Sequence, residues 1–484
     1  MPEKLRVLDS TIYQSPFVER YASRQMLGLL SDDMKFKTWR QVWAAIAKVR
    51  MLMNAGVTKD QVDEMYLHLP DPIDYQMARE FETRFGHDVI AHQRTFATAC
   101  PLIGSLMHDL LTSCDITDNA DLIIIRDCLG MIREKVVRSI FHLSTFANYQ
   151  AKVSVLGYTH MKEASLVTVG KRVCGWIRDL MDILTEFDTV IASLKLRGIK
   201  GPTGTQAGFL SLFSGDHTKV LEAEQRFADE LGFKDCYPIT GQTYSRLIDV
   251  SVISVLSKLG AVVQNIGWDI RFWQHLNEVQ EPFGEEHRGS SAMPFKKNPK
   301  YAERLCGLGR FLMFLVNPAL GTYADQVFER TLDDSVCRRL FIPEAFLAAD
   351  SVLRILQYIA QSPIVNLDMI QTNLKRSLPL MATERLLAVM VEVGGDRDQA
   401  YQRLQKHSFT AMKKMMSGGD NNFAQLVSDD PFFSLINNQL SELFDPSSFT
   451  GAAVQQTNSF LETVVAPAID PYKSILDVWE ELPV

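Results

Sequence analysis

From Leu102 to Gly201 the chain contains no proline. Proline breaks helix interiors because it lacks an amide hydrogen and its ring clashes with the preceding turn, so this stretch admits very long helices. Within it Leu166, Val169, Val173, Trp176, Leu180, Ile183, Phe187, Val190 and Leu194 recur at steps of three and four. That is the apolar stripe of a helix burying one face. Leu122, Ile125, Leu129, Ile132, Val136, Ile140, Leu143 and Phe146 form a second stripe. A third, Ile248, Val252, Val255, Leu259, Val262, Ile266, Ile270 and Trp273, lies in a proline-free segment between Ile239 and Glu281. A helix of about 35 residues reaches about 50 Å. Strand-like alternation bounded by turn residues is scarce. These features predict an all-α protein of three domains with a central bundle of long helices.

The boundaries follow the helix breakers. Pro70, Pro72, Gly86 and Pro101 interrupt the first part, and two Gly-Gly-Asp turns punctuate the segment after Pro363. The expected division is an N-terminal helical domain (1–112), the long-helix bundle (113–365) and a C-terminal helical domain (366–484). Hydrophobic residues make up 46% of the 484 and charged ones 22%, which excludes a disordered chain. A net charge of −8 argues against a nucleic-acid partner, while leaving room for a local basic pocket. Seven cysteines with no CxxC pair indicate thiols of a reducing compartment and no zinc site. MPEKLRVLDS at the start lacks the apolar core of a signal peptide, and no uninterrupted run of about 18 apolar residues offers a membrane span. The expected location is cytoplasmic, with no membrane partner.

The segment 282–298, PFGEEHRGSSAMPFKKN, follows a long helix and is too polar for core. It reads as a loop that brings Ser290 to a substrate, with successive amide groups and Lys296 able to hold a carboxylate that gains charge. GYTH at 157–160 reads as a turn before the stripe that begins at Leu166. His160 there is either structural or a proton donor, since imidazole titrates near neutrality. His87 and His92 are five apart, which does not match the i, i+4 spacing of a helical zinc pair. Together with Asp88 they suggest substrate hydrogen bonding or a structural pair. GPTGTQAG at 201–208 lacks the Gly-Lys-Ser/Thr of a phosphate loop. ERTLDDSVCRR at 329–339 is either a solvated helix face or a phosphate clamp of Arg330, Ser335 and Arg339, with Arg20 and Tyr21 as further donors.

GSSAMPFKKNP at 289–299 resembles the SSxMPxKxN signature of the fumarase/aspartase superfamily. RYAS (20–23), HDVIAH (87–92), TSC (112–114), DNAD (118–121), GYTH, TVGKR (168–172), KGPTGTQA (200–207), ITGQTY (239–244), ERTLDDS (329–335) and DPSSFTG (445–451) extend the likeness over nearly the whole chain. Together they resemble the animal-type adenylosuccinate lyase family. The resemblance implies a cofactor-free β-elimination of fumarate from two purine nucleotide substrates, adenylosuccinate (giving AMP) and the succinyl-carboxamide ribotide SAICAR (giving AICAR). In it Ser290 is the base and His160 the acid. His87, Asp88, Thr112, Ser113, Gln242, Lys296, Asn298 and Arg304 fall on substrate-binding positions. Arg20, Tyr21, Arg330, Ser335 and Arg339 fall on those that hold the 5′-phosphate. No metal is implied, and the expected assembly is a homotetramer with shared active sites.

Two departures stand out. Where relatives read THxQPAQ, this chain has Lys162, Glu163 and Ser165 in place of two glutamines and a proline. Gly86 replaces an arginine before His87, a lost charge for which Lys162 is a candidate substitute that the sequence does not establish.

Overall fold

The computed structural model describes residues 11–284, 288–476 and 478. The first ten residues, read above for a leader, and Glu285, Glu286 and His287 of the serine-bearing segment lie outside them. The predicted stripes become long helices: α1 (Ser113–Tyr149), α2 (Val169–Ser193) and α3 (Leu247–His275). With α4 (Lys300–Phe314), α5 (Val316–Ala324) and α6 (Asp333–Gln361) they make the bundle, α1 packing on α2 and α6, and α3 on α4. α1 has 37 residues and so is about 55 Å long. Thr112 begins it in a capping box with Asp115, which satisfies amides that the first turn leaves unpaired. Every member of the Leu122–Phe146 stripe is buried, as such spacing requires.

The stripe that begins at Leu166 needs a correction. Leu166 belongs to a β-hairpin, and α2 starts three residues later, at Val169, capped by the Thr168 hydroxyl. The hairpin joins β1 (Ser154–Thr159) to β2 (Lys162–Thr168), pairing Val155 with Val167 and Thr159 with Lys162. A register shift falls at Gly157. A Cβ there would stand 2.3 Å from the Ser165 carbonyl oxygen, so only glycine fits. His160 and Met161 form the two-residue turn with φ of 53° and 59°. Such a turn needs positive φ at both positions and normally takes Asn-Gly, whose absence hid it from the sequence.

A main core runs from Phe17 to Leu378 and takes in Val465 and Leu476 near the chain end. A second core gathers Ala382, Leu386, Met390, Leu404, Phe423 and Phe433. Helices Leu247–His275 and Lys300–Ala324 are apolar and long enough to cross a membrane, although neither is an unbroken apolar run. Half of the first and a third of the second are buried within the chain. The rest exposes Trp268, Phe311, Phe314 and Leu320.

Candidate functional site

The bundle sorts the candidate residues by its two ends. At the N-terminal ends of α1, α3 and α6 lies a cleft of about 740 Å³ lined by His87, Asp88, Ser113, Arg330, Ser335 and Arg339. Ser113 Oγ and His87 Nε2 are 3.3 Å apart. Arg339 reaches Asp88 at 3.2 Å. Arg330 donates to Gln242 Oε1 at 3.1 Å and to the Cys114 sulfur at 3.2 Å. Burial pushes the Cys114 thiol up to about 12, so it meets the guanidinium as a neutral acceptor. Gln242 is fixed because Gly241 lies against the Glu329 backbone, where a Cβ would approach to 2.6 Å. Thr112 caps α1 beside Ser113. Eight of the predicted binding residues therefore share one region: His87, Asp88, Thr112, Ser113, Gln242, Arg330, Ser335 and Arg339.

Beneath the cleft is a charge network that sequence reasoning missed. Arg246 bridges Asp118 at 3.1 Å and Asp334 at 2.6 Å, and Asp334 also faces Arg330 at 3.4 Å. Arg338 joins Asp249 at 2.7 Å, Asp121 at 2.9 Å and the Tyr244 hydroxyl at 2.6 Å. Burial opposes ionisation of Asp118, but Arg246, Arg338 and Arg197 outweigh it and hold the carboxyl below its ordinary value. For Asp121 burial wins over Arg338, and the carboxyl is raised. The signal was present: Asp115 and Asp118 continue the Leu122–Phe146 stripe backwards at the same spacing. Charges on a buried face demand buried partners.

The glycine-rich run is scaffolding for this cleft. Asp115 accepts from the amides of Thr112 (2.7 Å), Lys200 (2.9 Å) and Gly201 (3.1 Å), and pairs with the buried Arg197. The histidine pair also divides. His92 stacks on Phe36 with ring centroids 3.5 Å apart, and burial, aided by Lys35, lowers its pKa to about 4. It is a core residue.

The opposite end of the bundle carries His160, exposed in the tip of the hairpin. Tyr158 packs edge-on against Phe272 near the end of α3, at 5.3 Å. The serine-bearing segment lies at the same end, with Lys297 held by Gln274 at 2.9 Å. Ser290 Oγ accepts the amides of Ala292 at 3.3 Å and Met293 at 3.1 Å. These amides thus serve the serine itself and not a separate carboxylate. Asn298 donates to the Gly289 carbonyl at 2.8 Å, Lys296 is exposed, and Arg304 rests near the Tyr301 ring on α4.

Arg20 and Tyr21 form a third group. The Tyr21 carbonyl accepts from Arg354 at 2.7 Å, about 22 Å along α6 from Arg339. Gly86 lines the cleft, where φ of 64° ends the preceding helix and favours glycine, whereas Lys162 closes the hairpin turn. The length of α1 separates the two, so Lys162 cannot replace the missing charge within one chain.

Two family models match: "Lyase" over residues 103–311 and "Adenylosuccinate lyase C-terminus" over 379–460. Adenylosuccinate lyase of Saccharomyces cerevisiae is 41% identical over 471 residues, 96% of this chain and 97% of that protein. Those of Schizosaccharomyces pombe and Schistosoma mansoni are each 39% identical over 467 residues, with the same coverage. Among solved structures, 3-carboxy-cis,cis-muconate lactonizing enzyme from Pseudomonas putida superposes with a TM-score of 0.79 at 22% identity, covering 96% of this chain and all of that one. Fumarate lyase from Mesorhizobium sp. BNC1 gives 0.78 at 19%, covering 93% of this chain and all of that one. These two likenesses concern the fold.

Proposed function

The chain belongs to the adenylosuccinate lyase family, carbon–nitrogen lyases of purine nucleotide synthesis that release fumarate from adenylosuccinate, and we propose that Ser290 and His160 carry out its two proton transfers. Ser290, as alkoxide, takes the proton from the carbon beside a succinyl carboxylate, and the electron pair moves into that carboxylate. The pair then returns to form the double bond of fumarate as the carbon–nitrogen bond breaks. His160 gives its proton to the departing nitrogen. SAICAR presents the same succinyl group on nitrogen and reacts in the same way. The observation that carries this reading is the pair of amides on Ser290 Oγ. A serine is a poor base until donors of this kind stabilise its anion. Lys296, Asn298 and Arg304 serve the succinyl end.

Arg330, Ser335 and Arg339 bind the 5′-phosphate with Arg20 and Tyr21 of a neighbouring copy, while His87, Asp88, Thr112, Ser113 and Gln242 hold the remainder of the nucleotide. What supports this division is the cleft at the N-terminal ends of the helices, where cationic and hydroxyl donors converge. Phosphate oxygens suit both kinds of donor.

Acid and base lie at one end of the bundle and the nucleotide cleft at the other, too far apart in one chain to meet on one substrate. We therefore assign a homotetramer whose sites are each completed by residues of neighbouring copies, with the exposed apolar faces of α3, α4 and α5 as the contact. The division at 1–112, 113–365 and 366–484 is kept as three domains of that assembly. Seven unpaired cysteines suit a cytoplasmic setting.

Fumarate release from adenylosuccinate, SAICAR and argininosuccinate, followed in parallel by NMR, tests the substrate class. Release from the two purine substrates is expected, and release from argininosuccinate alone would overturn the phosphate assignment. Ser290→Ala is expected to lower kcat at least about 10²-fold. Full turnover in that variant would remove Ser290 from the mechanism.

A further inference from the structure

Two buried polar side chains at the foot of the serine-bearing segment have no part in the chemistry above. Glu281 is 2% exposed and Gln274, at the end of α3, is 8% exposed. The Glu281 carboxylate accepts the amides of Tyr301 at 3.1 Å and Ala302 at 2.9 Å, in the first turn of α4. A carboxylate at a helix N-terminus also meets the positive end of the helix dipole. Gln274 Oε1 accepts the Glu281 amide at 3.3 Å, while its Nε2 donates to the Lys297 carbonyl at 2.9 Å. These two side chains therefore hold the chain just before the segment to the chain where the segment ends.

The connection continues to the serine. Asn298, next to the pinned Lys297, donates to the Gly289 carbonyl at 2.8 Å. A Cβ on Gly289 would stand 2.1 Å from the Lys296 carbonyl oxygen, so the two strands of the segment touch backbone to backbone. Ser290 follows directly. A path of single hydrogen bonds thus leads from the rigid end of α3 through Gln274, Lys297 and Asn298 to Gly289, and Glu281 ties the same place to α4.

We propose that Glu281 and Gln274 are positioning residues for Ser290, fixing the serine-bearing segment to the ends of α3 and α4 so that its hydroxyl meets the substrate carbon at reacting distance. The inference rests on Ser290 acting as the base. It assigns Asn298 a second duty, as the staple that passes the constraint on. A displacement near 1 Å at a reacting group lowers rates about 10²-fold, so small relaxations at this foot have large kinetic effects.

The test uses the full-length assembled enzyme. Glu281→Gln keeps the side chain's size and removes its charge, and Gln274→Met keeps its length and removes both hydrogen bonds. Either is expected to lower kcat about 10-fold or more with a smaller rise in KM for adenylosuccinate, because the nucleotide cleft lies at the other end of the bundle and only the succinyl contacts of Lys296 and Asn298 share the loosened segment. Hydrogen exchange is expected to quicken in peptides covering 288–299 and to stay unchanged in those covering α1. Added to Ser290→Ala, Glu281→Gln is expected to cause no further loss, since the two act through one group. Normal kcat in both single variants, with Ser290→Ala inactive, overturns this inference alone. Turnover retained by Ser290→Ala overturns it together with the base assignment. A loss of kcat with exchange quickened throughout α1 and α6 shows general destabilisation and also overturns it. If Glu281→Gln fails to fold, Gln274→Met decides by the same readouts.

Discussion

Single residues in this chain carry opposite kinds of duty within a few ångströms. Arg330 faces the cleft, while Arg246, behind it, is fully engaged with Asp118 and Asp334. Replacing Arg330 or Arg339 by methionine is expected to raise KM for a nucleotide substrate about tenfold or more with a smaller change in kcat, measured by steady-state kinetics. Arg246→Met is different, because it strands two buried carboxylates and is expected to cost about 3–5 kcal/mol of stability by urea unfolding. The pH dependence follows from the sign of the Asp118 shift. Its carboxyl is held below the ordinary value, so its contribution is complete above about pH 4 and is lost as pH falls through the lower folded value. Asp121, raised by burial, acts in the opposite sense. The urea midpoint of the parent protein is expected to fall below pH 4, and Arg246→Met, lacking the main partner of Asp118, is expected to show a shallower acid limb. The quoted motifs hold Asp118, Asp121, Tyr244, Arg330 and Asp334, but no pairing among them was read from sequence, although Asp115 and Asp118 sat in register with an apolar stripe. A carboxylate in such a stripe does not reveal which guanidinium, 128 positions away for Arg246 and Asp118, will meet it.

At the level of elements, the long helices were legible because one physical signal repeats along them. The hairpin was not. Its alternation is interrupted where Ala164 and Ser165 stand opposite Gly157, and its turn is built from His160 and Met161, neither of which announces a turn. The candidate acid therefore sits in a turn, as the sequence suggested, but one of two residues at positive φ between two strands that the sequence did not reveal. Gly157→Ala would force a methyl group into the Ser165 carbonyl. We expect it to lower stability by about 1–3 kcal/mol and to reduce kcat more than KM, as measured by thermal unfolding and steady-state kinetics. His160→Gln should leave the hairpin intact and still lower kcat about 10²-fold or more. The comparison separates loss of the proton donor from loss of the strand that aims it.

For the whole molecule, the sequence carried the all-α bundle and the lyase signature, while the distribution of site residues emerged only from the fold. Motifs far apart in sequence, such as those at 87–92, 112–114 and 329–339, converge because α1, α3 and α6 begin at the same end. The serine and histidine motifs go to the other end because each follows one of those helices. This arrangement makes a mixing experiment decisive. Assayed with substrate well below the raised KM of Arg339→Met, where that protein and Ser290→Ala are each slow alone, the two are expected to regain fumarate release when unfolded together and reassembled, because some sites then draw both intact ends from different copies. Absence of recovery, with mixed assemblies confirmed by native mass spectrometry, would refute shared sites. The uncovered apolar band of α3, α4 and α5 has a consequence for the chain's earliest life. On the proposed assembly with shared sites, a newly made copy is both idle and adhesive until it meets others of its kind. Refolding yield should therefore pass through a maximum with protein concentration, limited by encounter when dilute and by indiscriminate clumping when crowded.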